Sequence, residues 1–132
     1  MPTLDLVDET YLRAPAERAA GLFHDQARWA WWWPDLHPVV FMDRGLAGIR
    51  WNITGAVVGS MEIWLEPLDP PMGGVLLHYY LRADPTASGS LTVAAPLTGR
   101  AATLASIRRA RSMKRMLWRV KDELEAPMNY LR

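Results

Sequence analysis

Apolar residues recur every three to four positions between Pro96 and Pro127, the longest segment without an internal proline. This spacing predicts a helix over residues 97–125, roughly 40 Å long at 1.5 Å per residue. One face of it carries Ala102, Ser106, Ala110, Met113, Leu117, Val120 and Leu124, with Met116 at its edge. The large residues occupy only the second half of this face. The first half therefore either packs closely against another backbone or roofs a cavity.

A second apolar stripe lies on the opposite side of this helix and consists of Leu104, Ile107 and Trp118. A single buried face does not account for it. Either the helix kinks near residues 108–111, or the stripe contacts a partner.

Before this helix, alternating apolar and polar residues predict antiparallel strands at residues 4–13, 39–43, 49–55, 59–68 and 75–83. In the first strand the even positions face inward, which includes Asp8 and Thr10. In the last strand the odd positions face inward, including Tyr79. A sixth strand is possible at residues 91–93 within the loop-like segment 84–96.

The hairpin formed by residues 49–55 and 59–68 has two candidate registers. A three-residue loop opposes Trp51 to Ile63 and Ile53 to Met61, and it brings Arg50 near Glu66. A two-residue loop instead opposes apolar to acidic side chains. The first register separates apolar from polar residues, so we predict it.

Two short helices are predicted between the first and second strands. Pro15 suits the start of the first helix, and Asp25 suits the N-cap of the second. The second helix ends at Pro34 and holds four tryptophans, of which Trp31 points away from the side shared by Trp29, Trp32 and Trp33. These indoles either plug the open end of the sheet or form the wall of a ligand pocket, and both roles can coexist.

Composition excludes several classes of site. The 132 residues fit one domain, which we place at residues 1–125 with a C-terminal tail at 126–132. Without cysteine there is no disulfide, thiolate catalysis or Cys-ligated zinc, and we expect a cytoplasmic protein without signal peptide or membrane span. No metal site or cofactor is expected, because the histidines lie in separate segments, at His24, His37 and His78.

The charges are distributed unevenly. Residues 1–96 carry 6 basic and 11 acidic side chains, whereas residues 97–125 carry 8 basic and 3 acidic ones. The long helix is thus cationic on an acidic body. We do not expect nucleic-acid binding through this helix, because the net charge is only +1. The residues that would carry it are Arg108, Arg109, Arg111, Lys114, Arg115 and Arg119.

The order of elements resembles the SRPBCC superfamily of START-like and Bet v 1-like helix-grip proteins. Within it, the chain is similar to the actinobacterial polyketide cyclase/dehydrase-like group, in the stretches at residues 12–15, 29–34, 49–51, 62–67, 77–85 and 118–125. The resemblance implies an α+β fold with a curved antiparallel sheet of five to seven strands wrapped around the long C-terminal helix. It also implies a cavity between sheet and helix for a small hydrophobic, polyketide- or lipid-like ligand.

A cyclase of this type would need only an acid/base pair and a shaped pocket, without a cofactor. The inward residues offer Asp8 and Tyr79 as weak catalytic candidates. The candidate ligand-binding residues are Thr10, Trp33, Trp51, Ile53, Ile63, Tyr79, Ser106, Ala110 and Met113. Two alternatives stay open: a non-enzymatic carrier or sensor of a hydrophobic molecule, and a homodimer or other partner-binding assembly through an outer face with Trp64, His78 and Tyr80.

Overall fold

The computed structural model describes the chain at residues 4–86 and 97–130. The elements are β1 (Leu4–Leu12), α1 (Ala16–His24), α2 (Gln26–Trp32), β2 (Leu36–Asp43), a 3-10 turn (Gly45–Ala47), β3 (Gly48–Gly55), β4 (Val57–Pro67), β5 (Val75–Pro85) and α3 (Gly99–Tyr130). The strands form one open antiparallel sheet in the order β1-β5-β4-β3-β2. The predicted α+β helix-grip fold is confirmed, with five strands in the described residues.

One face of the sheet is the core, and it follows the alternation in the sequence. Leu4, Thr10 and Leu12 of β1 are buried, while the intervening Asp5 and Glu9 are exposed. On β5 the predicted inward residues are all buried, namely Val75, Leu77, Tyr79 and Leu81. The prediction of which residues face inward on these strands is therefore confirmed.

The predicted register of the β3–β4 hairpin is wrong by two residues. Trp51 opposes Met61 rather than Ile63, Ile53 opposes Gly59, and Arg50 opposes Glu62 rather than lying near Glu66. A shift of two residues leaves every side chain on its predicted face, so the apolar pattern could not detect it.

Long-range contacts set the position of this reversal. The amide of Ala56 donates to the carbonyl of Asp35 (3.0 Å), and the amide of Thr86 donates to the carbonyl of Ala56 (2.9 Å). Gly55 has φ of 114°, a conformation that favours glycine. The chain therefore turns directly after Gly55.

Strand β2 begins three residues earlier than predicted and includes Pro38. Among the described strands it pairs only with β3, and it forms an edge of their sheet. Since an edge strand tolerates a missing amide donor, the proline does not end it.

The tryptophan-rich helix α2 is capped as predicted, because the side chain of Asp25 accepts a hydrogen bond from the Ala27 amide (3.2 Å). Trp29 and Trp33 are buried, while Trp31 is 87% exposed. The Trp29 indole donates to the Phe23 carbonyl (2.8 Å). The predicted separation of Trp31 from the other indoles is confirmed.

Helix α3 begins two residues later than predicted and continues to Tyr130, past the expected end at Glu125. The helix thus continues past Pro127, although a proline removes one amide donor and its ring crowds the preceding turn. Met113, Met116, Leu117, Val120 and Leu124 are buried, and α3 lies against β1 and β5. The second stripe is exposed at Leu104, Ile107 and Trp118.

The possible sixth strand at residues 91–93 lies outside the described residues. No helix in the described part of the chain is long and apolar enough to cross a membrane.

Candidate functional site

A groove opens at one end of the fold, beside the first half of α3. It has a volume of about 550 Å³ and lies between the end of α2, the β3–β4 reversal and α3. We call it the mouth groove. Its walls are formed by Trp32, Pro34, Asp35, Ala56, Val57, Thr86, Ala105, Arg108, Arg109, Ser112 and Arg115.

The apolar wall of the mouth groove is held by contacts behind it. The Trp32 ring lies against Phe23 (centroids 5.1 Å apart) and Trp33 (5.6 Å). The Thr86 hydroxyl donates to the carbonyl of Gly55 (2.7 Å), which fixes the reversal that carries Ala56 and Val57. Since aromatic packing and hydrogen bonds fix these residues, the wall is preorganised.

The opposite wall is cationic. Arg109 makes a two-pronged ion pair with Asp35, with Nη1–Oδ1 at 3.2 Å and Nη2–Oδ2 at 2.5 Å. Its side chain is only 13% exposed. Arg108 and Arg115 are exposed, and neither has an ion pair or hydrogen bond within the described residues. This wall therefore offers two uncommitted guanidinium groups.

Behind the mouth groove lies an aromatic interior. The Trp51 ring meets Trp33 edge-on at a centroid distance of 5.3 Å, and it meets Trp29 at 5.4 Å. Trp51 is completely buried, and its indole nitrogen has no hydrogen-bond partner in the described residues. An unsatisfied buried donor costs about 1–3 kcal/mol. Ile53 and Ile63 are buried beside these rings in the same core.

Tyr79 also belongs to this interior. Its hydroxyl donates to the sulfur of Met61 (2.8 Å), which is a weak acceptor. Burial raises the pKa of the Tyr79 phenol far above its usual range, and the positive charge of Arg109 and a hydrogen bond with Trp33 only partly oppose this. Tyr79 is thus a neutral hydrogen-bond donor at physiological pH and not a base.

The two catalytic candidates, Asp8 and Tyr79, are cross-strand partners in the β1–β5 register. Their side chains are not bonded to each other, however: the Tyr79 hydroxyl donates to Met61, and the Asp8 carboxylate pairs with Lys114. Asp8 accepts two hydrogen bonds from the ammonium of Lys114 on α3 (2.9 and 3.2 Å) and one from the Thr10 hydroxyl (2.9 Å). An aspartate held in this way is a structural tie between sheet and helix.

The candidates on α3 lie along its inner face. The Ser106 hydroxyl donates to the carbonyl of Ala102 (2.9 Å), so its own helix satisfies it. Ala110 is half-buried and Met113 is buried. The structure thus brings Trp33, Trp51, Ile53, Ile63, Tyr79 and Met113 into one core, where ligand contact stays a prediction.

Sequence reasoning missed the residues that line the mouth groove. Arg108, Ser112 and Arg115 follow each other at spacings of four and three, which places them on one flank of the helix beside the buried face. From the sequence alone, Arg108 and Arg115 are considered only as part of a cationic surface for nucleic acid, and Ser112 is not predicted as a site residue. The missing information was that the chain after α2 brings Pro34 and Asp35 to this flank.

The outer face of the sheet carries a stacked row of rings. His78 lies between Trp64 (centroids 4.2 Å apart) and Tyr80 (6.3 Å), and it is only 6% exposed. Its Nε2 lies 3.0 Å from Glu66 Oε1, and its Nδ1 lies 3.4 Å from Glu9 Oε1. His78 is therefore covered by its neighbours, while Trp64 and Tyr80 are half-buried.

In the part of the chain that the structure describes, no group of three or more His, Asp or Glu side chains is placed to hold a metal ion.

Comparison with known proteins supports the fold. No protein-family model matches the chain, and no curated protein matches it significantly in sequence. Among solved structures, it is similar to the Aha1 dimer from Colwellia psychrerythraea, with a TM-score of 0.55 and 13% identity over 92% of this chain and 96% of that one. At this identity the similarity shows a shared fold.

Proposed function

We propose that the protein binds a small hydrophobic, polyketide- or lipid-like molecule between the sheet and the first half of α3. The observation that carries this proposal is the mouth groove, whose volume of about 550 Å³ is typical of small-molecule sites. The apolar part of the ligand would lie against Trp32, Pro34 and Val57.

The interior behind the groove gives further support. The buried Trp51 indole N–H has no acceptor among the described residues, and an oxygen atom of a ligand could satisfy it. Trp33, Trp51 and Tyr79 are packed together in the described chain, so a ligand reaching them would have to displace side chains. We therefore place the main contact in the mouth groove, with these residues as its inner boundary.

Between an enzyme and a carrier or sensor, we favour the carrier or sensor. A cofactor-free cyclase or dehydrase needs a base in reach of its substrate. Asp8 is engaged by Lys114 and Thr10, and Tyr79 is a neutral phenol. The Asp8 carboxylate is thus engaged in a structural ion pair, and Tyr79 is a buried phenol bonded to Met61. Turnover of an aromatic polyketide substrate that is lost in Asp8→Asn would reverse this preference.

The binding proposal is tested with N-phenyl-1-naphthylamine, a neutral apolar probe that becomes fluorescent in apolar sites. Ala105 lines the groove, so Ala105→Phe should fill it and abolish most binding. The matched control is Ile107→Phe, because Ile107 is two residues from Ala105, is exposed on the other side of α3 and does not line the groove. Equal binding by both variants would reject the groove as the site.

A second candidate function is self-association, as in the Aha1 dimer to which the fold is similar. The observation that favours it is the edge strand β2, on which Val39, Phe41 and Met42 are 54%, 57% and 44% exposed. Unpaired edges with apolar side chains are ready to pair with another chain. The outer face with Trp64, His78 and Tyr80 remains the alternative surface.

Sedimentation velocity of two variants separates these surfaces. Phe41→Asp should give a monomer if β2 pairs with β2 of a second copy, whereas Tyr80→Asp should do so if the outer face is the interface. Far-ultraviolet circular dichroism checks that both variants fold. A wild-type protein that sediments as a monomer at all concentrations would reject self-association.

A further inference from the structure

The cations of α3 divide into committed and uncommitted groups. Lys114 is bound to Asp8, and Lys121 donates to the Tyr11 carbonyl (2.7 Å) and to Glu125 (2.7 Å). Arg109 is paired with Asp35. The guanidinium groups of Arg108 and Arg115 line the mouth groove, and neither has an ion pair or hydrogen bond with another described residue.

The geometry of the groove concentrates this charge. Among the described residues, Asp35 is the single acidic one in its wall, and Arg109 already neutralises it. Arg108 and Arg115 lie seven residues apart, which is two helical turns, with Ser112 between them on the same flank. Over the part of the chain that the structure describes, the groove thus presents two net positive charges and the Ser112 hydroxyl opposite an apolar wall.

We infer that the ligand of the mouth groove is an amphipathic anion, an apolar body that carries one acidic group such as a carboxylate. Arg108 and Arg115 hold the acidic group, and Ser112 supplies a further hydrogen-bond donor. The apolar body lies against Trp32, Pro34 and Val57. This inference rests on the proposed function, and it names the chemical class that the site selects.

The physical basis is the sharing of one anion by two guanidinium groups. Arginine binds carboxylate in a fixed, two-pronged geometry, and charge-assisted hydrogen bonds are stronger than neutral ones. The adjacent apolar wall excludes water on one side, which weakens screening. An uncharged ligand of the same shape gains no charge-assisted hydrogen bonds, and the guanidinium groups of Arg108 and Arg115 stay hydrated.

Two fluorescent probes that differ by one anionic group test the inference. 8-Anilinonaphthalene-1-sulfonate carries a sulfonate, and N-phenyl-1-naphthylamine has the same ring skeleton without it. Removal of both cations in the double variant Arg108→Gln/Arg115→Gln should weaken sulfonate-probe binding about tenfold or more, as expected for the loss of charge-assisted hydrogen bonds. Binding of the neutral probe should change by less than about twofold.

The matched control is the double variant Arg100→Gln/Arg111→Gln, which removes two exposed charges of α3 that do not line the groove. It should leave binding of both probes unchanged. An equal loss of sulfonate-probe binding in test and control variants would show a nonspecific charge effect and overturn the inference.

Two further outcomes separate this inference from the proposed function. Neutral-probe binding that Ala105→Phe abolishes, together with sulfonate-probe binding that ignores Arg108 and Arg115, would keep the groove and reject the anionic ligand. Failure of both probes to bind the wild-type protein would reject the groove and the inference together.

Discussion

The two halves of α3 differ in what they contribute to the molecule. The C-terminal half buries Met113, Met116, Leu117, Val120 and Leu124 against the rest of the fold. The N-terminal half offers small side chains, including Ala102, Ala105 and Ala110, and the mouth groove lies beside it. One continuous helix therefore both closes the core and leaves space for a site. Residue size along its inner face separates these two roles.

The polar contacts follow the same division. Four links tie the C-terminal half to α1, α2 and the end of β1. They are Arg28 with Glu123, the Arg18 guanidinium with the Leu124 carbonyl (3.0 Å), the Arg13 amide with Glu125 (2.8 Å), and the Lys121 ammonium with the Tyr11 carbonyl (2.7 Å). Beside the groove, the main link is Arg109 with Asp35. The C-terminal half is the anchored end of the helix.

The largest expected effect comes from removing a buried side chain from the C-terminal half. Leu117 is 1% exposed, so Leu117→Ala should lower the free energy of unfolding by about 2–5 kcal/mol through lost burial and a residual cavity. Leu104→Ala, an exposed position in the other half, should change it by less than about 0.5 kcal/mol. Urea denaturation followed by circular dichroism measures both. If both variants lose a similar amount of unfolding free energy, the C-terminal half does not contribute more to stability than the N-terminal half.

The sequence predicted this division because residue size and the helical period are local properties. The inward faces of β1 and β5 and the separation of Trp31 from the other indoles were predictable for the same reason. The hairpin register was not, since a shift by two residues preserves every face and the reversal depends on contacts of Ala56 with Asp35 and Thr86.

The groove was also beyond local reasoning. A helical wheel places Arg108 and Arg115 on a flank of α3, and it gives no indication of what lies opposite. That depends on where α2 ends and on the pairing of Arg109 with Asp35, two residues separated by 73 intervening positions. Long-range placement of this kind is set by the packing of the whole domain.

The next effect concerns the junction between the two halves, where Lys114 meets Asp8. The Asp8 side chain is only 14% exposed, so Lys114→Ala would leave a largely buried carboxylate with the Thr10 hydroxyl alone. We expect a loss of about 1–3 kcal/mol in unfolding free energy.

The surface pair of Arg82 and Asp5 serves as the control, because both side chains are more than half exposed and 3.7 Å apart. Arg82→Ala should cost at most about 1 kcal/mol. If both variants are equally stable, the junction is not held by its ion pair, and packing alone joins the halves.

A smaller effect concerns pH and the anchored end. The hydrogen bond from Arg28 lowers the pKa of the Glu123 carboxyl below its ordinary value. Because the folded-state pKa is the lower one, the pair stabilises the protein above the unfolded value of about 4.3, and this stabilisation disappears as the pH falls through the folded value.

Both side chains of this pair are partly exposed, so we expect no more than about 1 kcal/mol. The difference in unfolding free energy between wild type and Glu123→Gln should be largest near neutral pH and shrink below pH 4. Asp122→Asn, an exposed neighbour, should show no comparable trend. A difference that grows toward low pH would contradict the direction of the shift.

The smallest expected effect tests the open half directly. Because Ala105 faces the mouth groove, Ala105→Leu has room for the larger side chain and should change the unfolding free energy by less than about 0.5 kcal/mol. In the anchored half, Leu117→Phe enlarges a fully packed position and should cost about 1–3 kcal/mol. Thermal and urea unfolding of the two variants measure how much each larger side chain lowers the unfolding free energy, and so how much room surrounds each position. If Ala105→Leu costs as much as Leu117→Phe, the first half of α3 is packed as closely as the second, and the groove beside it cannot accept a ligand without deforming the fold.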